Sequence, residues 1–361
     1  MQTSQWRAVQ CAALAAAILA PTVALADDAG GRRPLWLAWD FSADLVIPAA
    51  AALLLYWRGL ERRPGAFDAT PARHLAFMGG VFLTFAALAS PIDAMSDHLF
   101  SMHQVQHMLL RVVGPMLIAY AQPGATLVAG SPNWLRRGPV TRLLTSYPNR
   151  GLFRFLTRPW AATALFVASL YAWQWPPFHN RAIIDDGVHY LMHITMLAAG
   201  LLFFWVVFDQ RPPPKGGGYG ARLMMVWIGT LANIPIGAFT CLKSQELYPA
   251  YDTVGRLFGV SAMDDERLGG FIMWAPCSMM MLIALLLVVH AWGSHEEKVV
   301  ARREALAAAP RNNGALAVGL LGFATCVLCA TLAIGVIANQ WTRAGSHAFP
   351  ARAVALAARV P

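Results

Sequence analysis

Charge is what this sequence has least of. Charged residues occupy 13% of the 361 positions, only 19 of them acidic, while hydrophobic residues occupy 57%. That balance excludes an ordinary soluble domain and fits a chain built for lipid. Disulfide chemistry is scarce as well. The five cysteines are Cys11, Cys241, Cys277, Cys326 and Cys329, and the last four fall in or beside apolar runs, so no extracellular disulfide framework is encoded. Cys326 and Cys329 read as small packing residues rather than as a soft metal pair. HExxH is missing, as are an internal repeat and a second soluble domain. The net charge of +9 does not imply nucleic acid, because the basic residues sit between apolar runs, where membrane topology places them.

What is present is apolar length. Residues 1–26 carry Arg7, an apolar core from Ala8 to Ala20, and Ala24-Leu25-Ala26 before Asp27, the pattern of a cleaved secretory signal peptide. Apolar runs follow at 43–57, 74–90, 98–122, 159–175, 187–208, 222–240, 267–291 and 314–338. The fold expected is all-α: a polytopic membrane helical bundle of about eight transmembrane helices over 27–338, with a C-terminal tail over 339–361.

If the mature N-terminus lies outside, segments 58–73, 123–158, 209–222 and 292–313 face the cytoplasm. They hold 17 Lys and Arg residues, against 8 in the connections expected outside. This asymmetry agrees with a multi-pass protein of the inner membrane. Segment 123–158, with six arginines among Leu, Trp and Phe, reads as a basic stretch on the cytoplasmic leaflet. Residues 241–266 form the longest outer loop, and Glu296 to Glu304 a solvated helix end.

The chemistry concentrates in two runs. Ser101 to Leu110 places His103 and His107 four residues apart, and Val188 to Leu197 does the same with His189 and His193. On helices, each pair shares one face, with its members about 6 Å apart along the axis. Both spans run inward from the outer surface. At 1.5 Å per residue, His103 and His107 lie about 7 and 13 Å below His98, and His189 and His193 about 3 and 9 Å below Gly187. The two pairs therefore overlap in depth. Ionisable groups inside a membrane span are functional candidates by default, and four imidazoles at one level can share a metal ion.

Met102 beside the first pair, and Met192 and Met196 beside the second, add soft thioether donors. Softness favours copper over zinc, although a methionine in a span is ordinarily packing. His98 at the span entrance completes the candidate set: His98, His103, His107, His189, His193, Met102, Met192 and Met196. A histidine in a span is also commonly a hydrogen-bonded core residue. Arg111 extends the His103–His107 face as a counter-charge or as an anchor for an acidic group. His179, in an outer turn, reads as solvated, with an entry ligand as the other reading.

Two other classes remain open. A catalytic zinc site wants about three protein ligands, a water and an acid or base. The acids near the outer ends, Asp93, Asp97, Asp185 and Asp186, serve only if loops fold inward. A haem b cytochrome draws one His from each of two helices, which leaves half of these histidines unused.

With these residues in view, the chain resembles the multi-span CtaG family of cytochrome c oxidase assembly factors, associated with caa-type oxidases. The likeness runs from Trp36 to His290. It rests on Trp39-Asp40, Met102-His103, Gln106-His107-Met108-Leu109-Leu110, Gln122-Pro123, His189 and His193, Gly200-Leu201-Leu202-Phe203-Phe204-Trp205, and Leu268-Gly269-Gly270-Phe271-Ile272-Met273-Trp274. His103, His107, His189 and His193 match the family's histidine positions. The resemblance implies a non-enzymatic membrane factor acting around copper insertion. Its expected partners are cytochrome c oxidase subunits, membrane lipid and a periplasmic copper donor.

Overall fold

A computed structural model describes residues 37–62, 70–138, 147–209, 211, 216–304 and 314–347. The signal peptide expected over 1–26 and residues 348–361 of the expected tail lie outside these. The described residues contain helices and no strand. In chain order the helices are α1 (Ala43–Arg62), α2 (Pro71–Ala89), α3 (Pro91–Ser96), α4 (Phe100–Met108), a π-helical turn (Leu109–Val113) and α5 (Gly114–Ala121). Then come α6 (Gly124–Gly130), α7 (Asn133–Arg137), α8 (Tyr147–Leu156), α9 (Pro159–Gln174), α10 (Pro176–Ile184) and α11 (Asp186–Val207). The last four are α12 (Tyr219–Leu242), α13 (Ala250–Val254), α14 (Ala262–Glu304) and α15 (Gly314–His347).

Among the described residues, six helices are long and apolar enough to cross a membrane: α1, α2, α11, α12, α14 and, over Val318–Val336, α15. The segment Phe100–Ala121, bent by 72° from α6, makes a seventh when the pair is taken as one broken span. α9 occupies the position of the remaining expected span but has 16 residues, short of the ~20 that a bilayer requires of an upright helix. α14, at 43 residues, extends ~64 Å and outruns the hydrocarbon layer, as the charged run at its end anticipates. α15 continues to His347, past the expected tail boundary at 339. Cys326 and Cys329 are both exposed on it, so the packing role read from the sequence is not filled among the described residues.

Small residues let the helices approach, as expected where lipid removes the hydrophobic drive between them. α12 and α14 form the most extensive pair. A Cβ at Gly270 would collide with the Cys241 backbone nitrogen, and one at Gly237 would lie 2.7 Å from the Trp274 nitrogen. On the neighbouring face of α14, Gly269 gives way to the Phe100 ring at the start of α4. Gly200 plays the same part in α11, where a Cβ would strike the Arg111 carbonyl of the π turn. These contacts hold α4 and α11, the helices that carry the two histidine pairs, in one bundle. Below them Phe166 and Phe203 stack at 4.1 Å within an apolar core that includes Phe204, Met281 and Ala284.

One end of the bundle is polar and locked. Asp265, near the start of α14, accepts from the Phe100 and Ser101 backbone nitrogens at 2.8 and 2.9 Å, satisfying two of the unpaired N–H groups at the α4 N-terminus. Its other contact is Arg256 at 2.6 Å. Glu266 pairs with Lys243 and accepts from the Leu247 and Tyr248 nitrogens at 3.0 and 2.8 Å. These bonds fasten the 243–261 loop over the ends of α4 and α10. We expect Gly270→Val to force α12 from α14 and lower stability by about 1–3 kcal/mol. By contrast, Gly293→Ala in open space is expected to be neutral or slightly stabilising; thermal unfolding of the two variants in detergent measures the contrast.

Candidate metal centre

Five imidazoles meet beneath that loop. His103 lies 4.2 Å from His107, 5.0 Å from both His179 and His189, and 5.7 Å from His193, measured between ring centroids. His107 is 5.7 Å from His193, and His189 4.4 Å from His193. α4 supplies two of the rings, α11 two and α10 the fifth. The ligand atoms of His103, His107 and His193 all lie within 4.8 Å of one another. Three nitrogens around one ion, each at 2.0–2.1 Å, stand about 3.5 Å apart, so no pair in the trio needs to close by more than about 1.3 Å to grip a cation.

Unpaired nitrogens give the cluster its chemistry. Nε2 of His103, His107, His189 and His193 is buried with no protein partner, and so is Nδ1 of His107. A buried polar atom without a partner costs about 1–3 kcal/mol, and several of them facing one space fit a cation-binding centre. His189 is the most open of the five rings, 15% exposed, with its Nδ1 3.7 Å from the Asp97 carboxylate, itself 53% exposed. Asp97 therefore marks the mouth, and the negative charge there favours an arriving cation. Burial raises its pKa, and the neighbouring His189 opposes that rise.

Behind the trio runs a hydrogen-bond chain that orients His103. The Trp173 carbonyl lies 3.0 Å from His179 Nδ1, and a carbonyl only accepts, so this nitrogen carries hydrogen. Burial pushes the His179 pKa down to about 4, leaving the ring neutral and Nε2 an acceptor. Nε2 then takes the Tyr251 hydroxyl hydrogen across 2.9 Å. The Tyr251 oxygen in turn accepts from His103 Nδ1 at 2.8 Å. With hydrogen on Nδ1, the lone pair of His103 sits on Nε2, the atom left unpartnered in the cluster. A ligating histidine is ordinarily set in this way by what its other nitrogen binds.

A family model described as the cytochrome c oxidase caa3 assembly factor, CtaG, matches residues 51–294. The match covers more than half of the chain and every residue of the centre. This chain belongs to the CtaG family. It is similar to uncharacterized proteins of Mycobacterium bovis and Mycobacterium tuberculosis, each 26% identical over 288 residues, and to one of Mycobacterium leprae at 23% over 275. Each alignment covers 74% of this chain and 41% of the relative, so the chain spans less than half the length of those proteins. No solved structure matches it.

In this CtaG-family chain, the candidate residues divide. His103, His107, His189 and His193 come together. His98 does not: it is half-buried at the rim and bonded through Nδ1 to the Gly255 carbonyl at 2.8 Å. Met192 and Met196 are fully buried against Ala182, Trp173 and Val188, and Met196 also lines a cavity bordered by His107. Met102 is half-buried and absent from that lining. His179 reverses its expected place, fully buried rather than solvated. Tyr251 and Asp265 were not singled out in the sequence. Their only signal was the acidic triplet Asp264-Asp265-Glu266 at the head of a span, and the tyrosines of the outer loop.

Two outcomes are expected. Tyr251→Phe removes the acceptor for His103 Nδ1, so nitrogen NMR of the metal-free protein should show mixed His103 tautomers, with metal affinity falling ~10–100-fold. Asp93, beside α4 and bonded to the Gln106 side chain at 2.6 Å, has its pKa raised to about 7, first by burial and then by Asp97. The fold thus favours its protonated form: full stability below about pH 4 declines as pH rises through 7. Asp93→Asn should match wild type at pH 4 and exceed it at pH 8 by about 1–3 kcal/mol after solvent screening, read from thermal melts.

Proposed function

We propose that this chain is a non-enzymatic copper-handling factor for cytochrome c oxidase assembly in the inner membrane. Copper arrives from the periplasmic side, from a donor protein or free in solution, passes Asp97 and His189, and is held by His103, His107 and His193. It is then released to an oxidase subunit. The observation that carries this reading is the set of buried, unpartnered Nε2 atoms on four rings from two spans. Imidazole is a borderline ligand suited to copper, and a site of three such ligands tolerates the exchange that delivery requires. The connections 91–97, 176–186 and 241–266, poorer in basic residues than those expected inside, all border the cluster, which supports a periplasmic orientation. Membership of an assembly-factor family supports the oxidase as the recipient.

A zinc hydrolase is the second reading, since three histidines also suit catalytic zinc. Hydrolysis further requires an acid or base at the bound water. Among the described residues no carboxylate joins the three-histidine group, and Asp97 stands behind His189. Haem is disfavoured by packing, because rings 4.2–5.7 Å apart leave no slot for a porphyrin. Purified protein is expected to bind about one copper per chain. His103→Ala with His107→Ala should abolish binding and oxidase maturation, as measured by metal analysis and oxidase activity in membranes. Normal binding and maturation in the double variant, or tightly held zinc without copper, refutes the proposal.

A further inference from the structure

Arg111 is the side chain that copper handling leaves unused. It projects from the π turn into the bundle interior, 3% exposed. Its guanidinium donates through Nη2 to the Phe166 carbonyl at 3.0 Å and lies 3.9 Å above the Phe166 ring. Its Nε has no partner, and among the described residues no carboxylate forms an ion pair with it. A buried charge lacking a counter-charge is strongly destabilising. Arg111 faces a cavity of about 20 Å³ that is also lined by Gln104, His107, Asn233, Met273 and Cys277. Gln104 Nε2 and both nitrogens of His107 are likewise buried without partners. Arg111 and Gln104 thus bring N–H donors to this cavity, one of them charged, and His107 adds one from whichever nitrogen carries hydrogen; Asn233 Oδ1 is the one buried oxygen acceptor without a partner among the lining residues named.

We propose that this cavity binds a small monovalent anion of the size and charge of chloride, held by Arg111 and Gln104. The nearby sulfurs of Met273 and Cys277 suggest a soft cation instead, but charge decides against it. A cation in this cavity would be repelled by the Arg111 guanidinium that lines it, whereas an anion there is attracted. Volume sets the size, because ~10–15 Å³ accommodates one water-sized particle. A polyatomic anion such as phosphate does not fit. Water alone satisfies the donors and leaves the charge unbalanced. Since His107 borders both this cavity and the metal centre, an anion here would also offset the charge of a bound cation.

The test uses the full chain in detergent, stripped of metal, so that its outcome is independent of copper binding. The protein is equilibrated with radiolabelled chloride in gluconate buffer, gluconate being too large for the cavity. Wild type is expected to retain about one chloride per chain at equilibrium dialysis, and Arg111→Met to fall to background with unchanged helical content. Should Arg111→Met fail to fold, Gln104→Leu serves, with affinity expected to drop ~tenfold for the lost hydrogen bond to an anion. Wild type at background, or either folded variant retaining chloride at the wild-type level, overturns the proposal. Chloride binding that emerges only in Cys277→Ala also overturns it, because the thiolate would then be the native counter-charge.

Discussion

Unpartnered imidazole nitrogens held inside an apolar bundle are the constraint on which this structure turns. Four imidazoles on α4 and α11 each keep Nε2 buried and unpartnered, in surroundings where an unmet polar group is expensive. A core selected for stability alone would pair these atoms or replace them with Leu and Phe, as the layer below does with Phe166, Phe203 and Phe204. The cluster therefore costs stability, and the rest of the polar end offsets part of that loss.

The compensation comes in layers. Close helix contacts at Gly200, Gly269 and Gly270 bring the helices that carry the two histidine pairs within reach of each other. Asp265 caps α4 from a helix distant in sequence and also anchors Arg256, so the loop and α4 share one carboxylate. Tyr251 and His179 then set which nitrogen of His103 bears the lone pair. The π turn directly after His107 fits this picture, since such turns recur at functional sites, and here it faces Gly200 and carries Arg111 inward.

The spans and histidine pairs were legible in the sequence because both are local. Periodicity exposes a shared helix face, and span direction supplies depth, which together bring His103, His107, His189 and His193 to one level. What was not legible depends on how loops fold back. His98 lies five residues from His103 and reads as a fellow ligand, yet it precedes the first turn of α4 and bonds to the loop. His179 reads as solvated because it follows Trp175-Pro176-Pro177, but those prolines start α10, which tucks the ring under Tyr251. Asp265 lies 165 residues from Phe100, and no spacing rule links them. The fourth expected span appears as a helix of 16 residues, because Arg158 and Trp175 bound it with extended backbone, Pro following each.

X-ray absorption at the copper edge, on protein loaded with one equivalent of copper, tests the central claim most directly. The expected first shell is two to four imidazole nitrogens at about 2.0 Å, with the outer-shell scattering of histidine rings and loss of that signal on replacing His103 and His107. A shell made of sulfur alone, or an unchanged spectrum in the doubly substituted protein, contradicts a histidine centre.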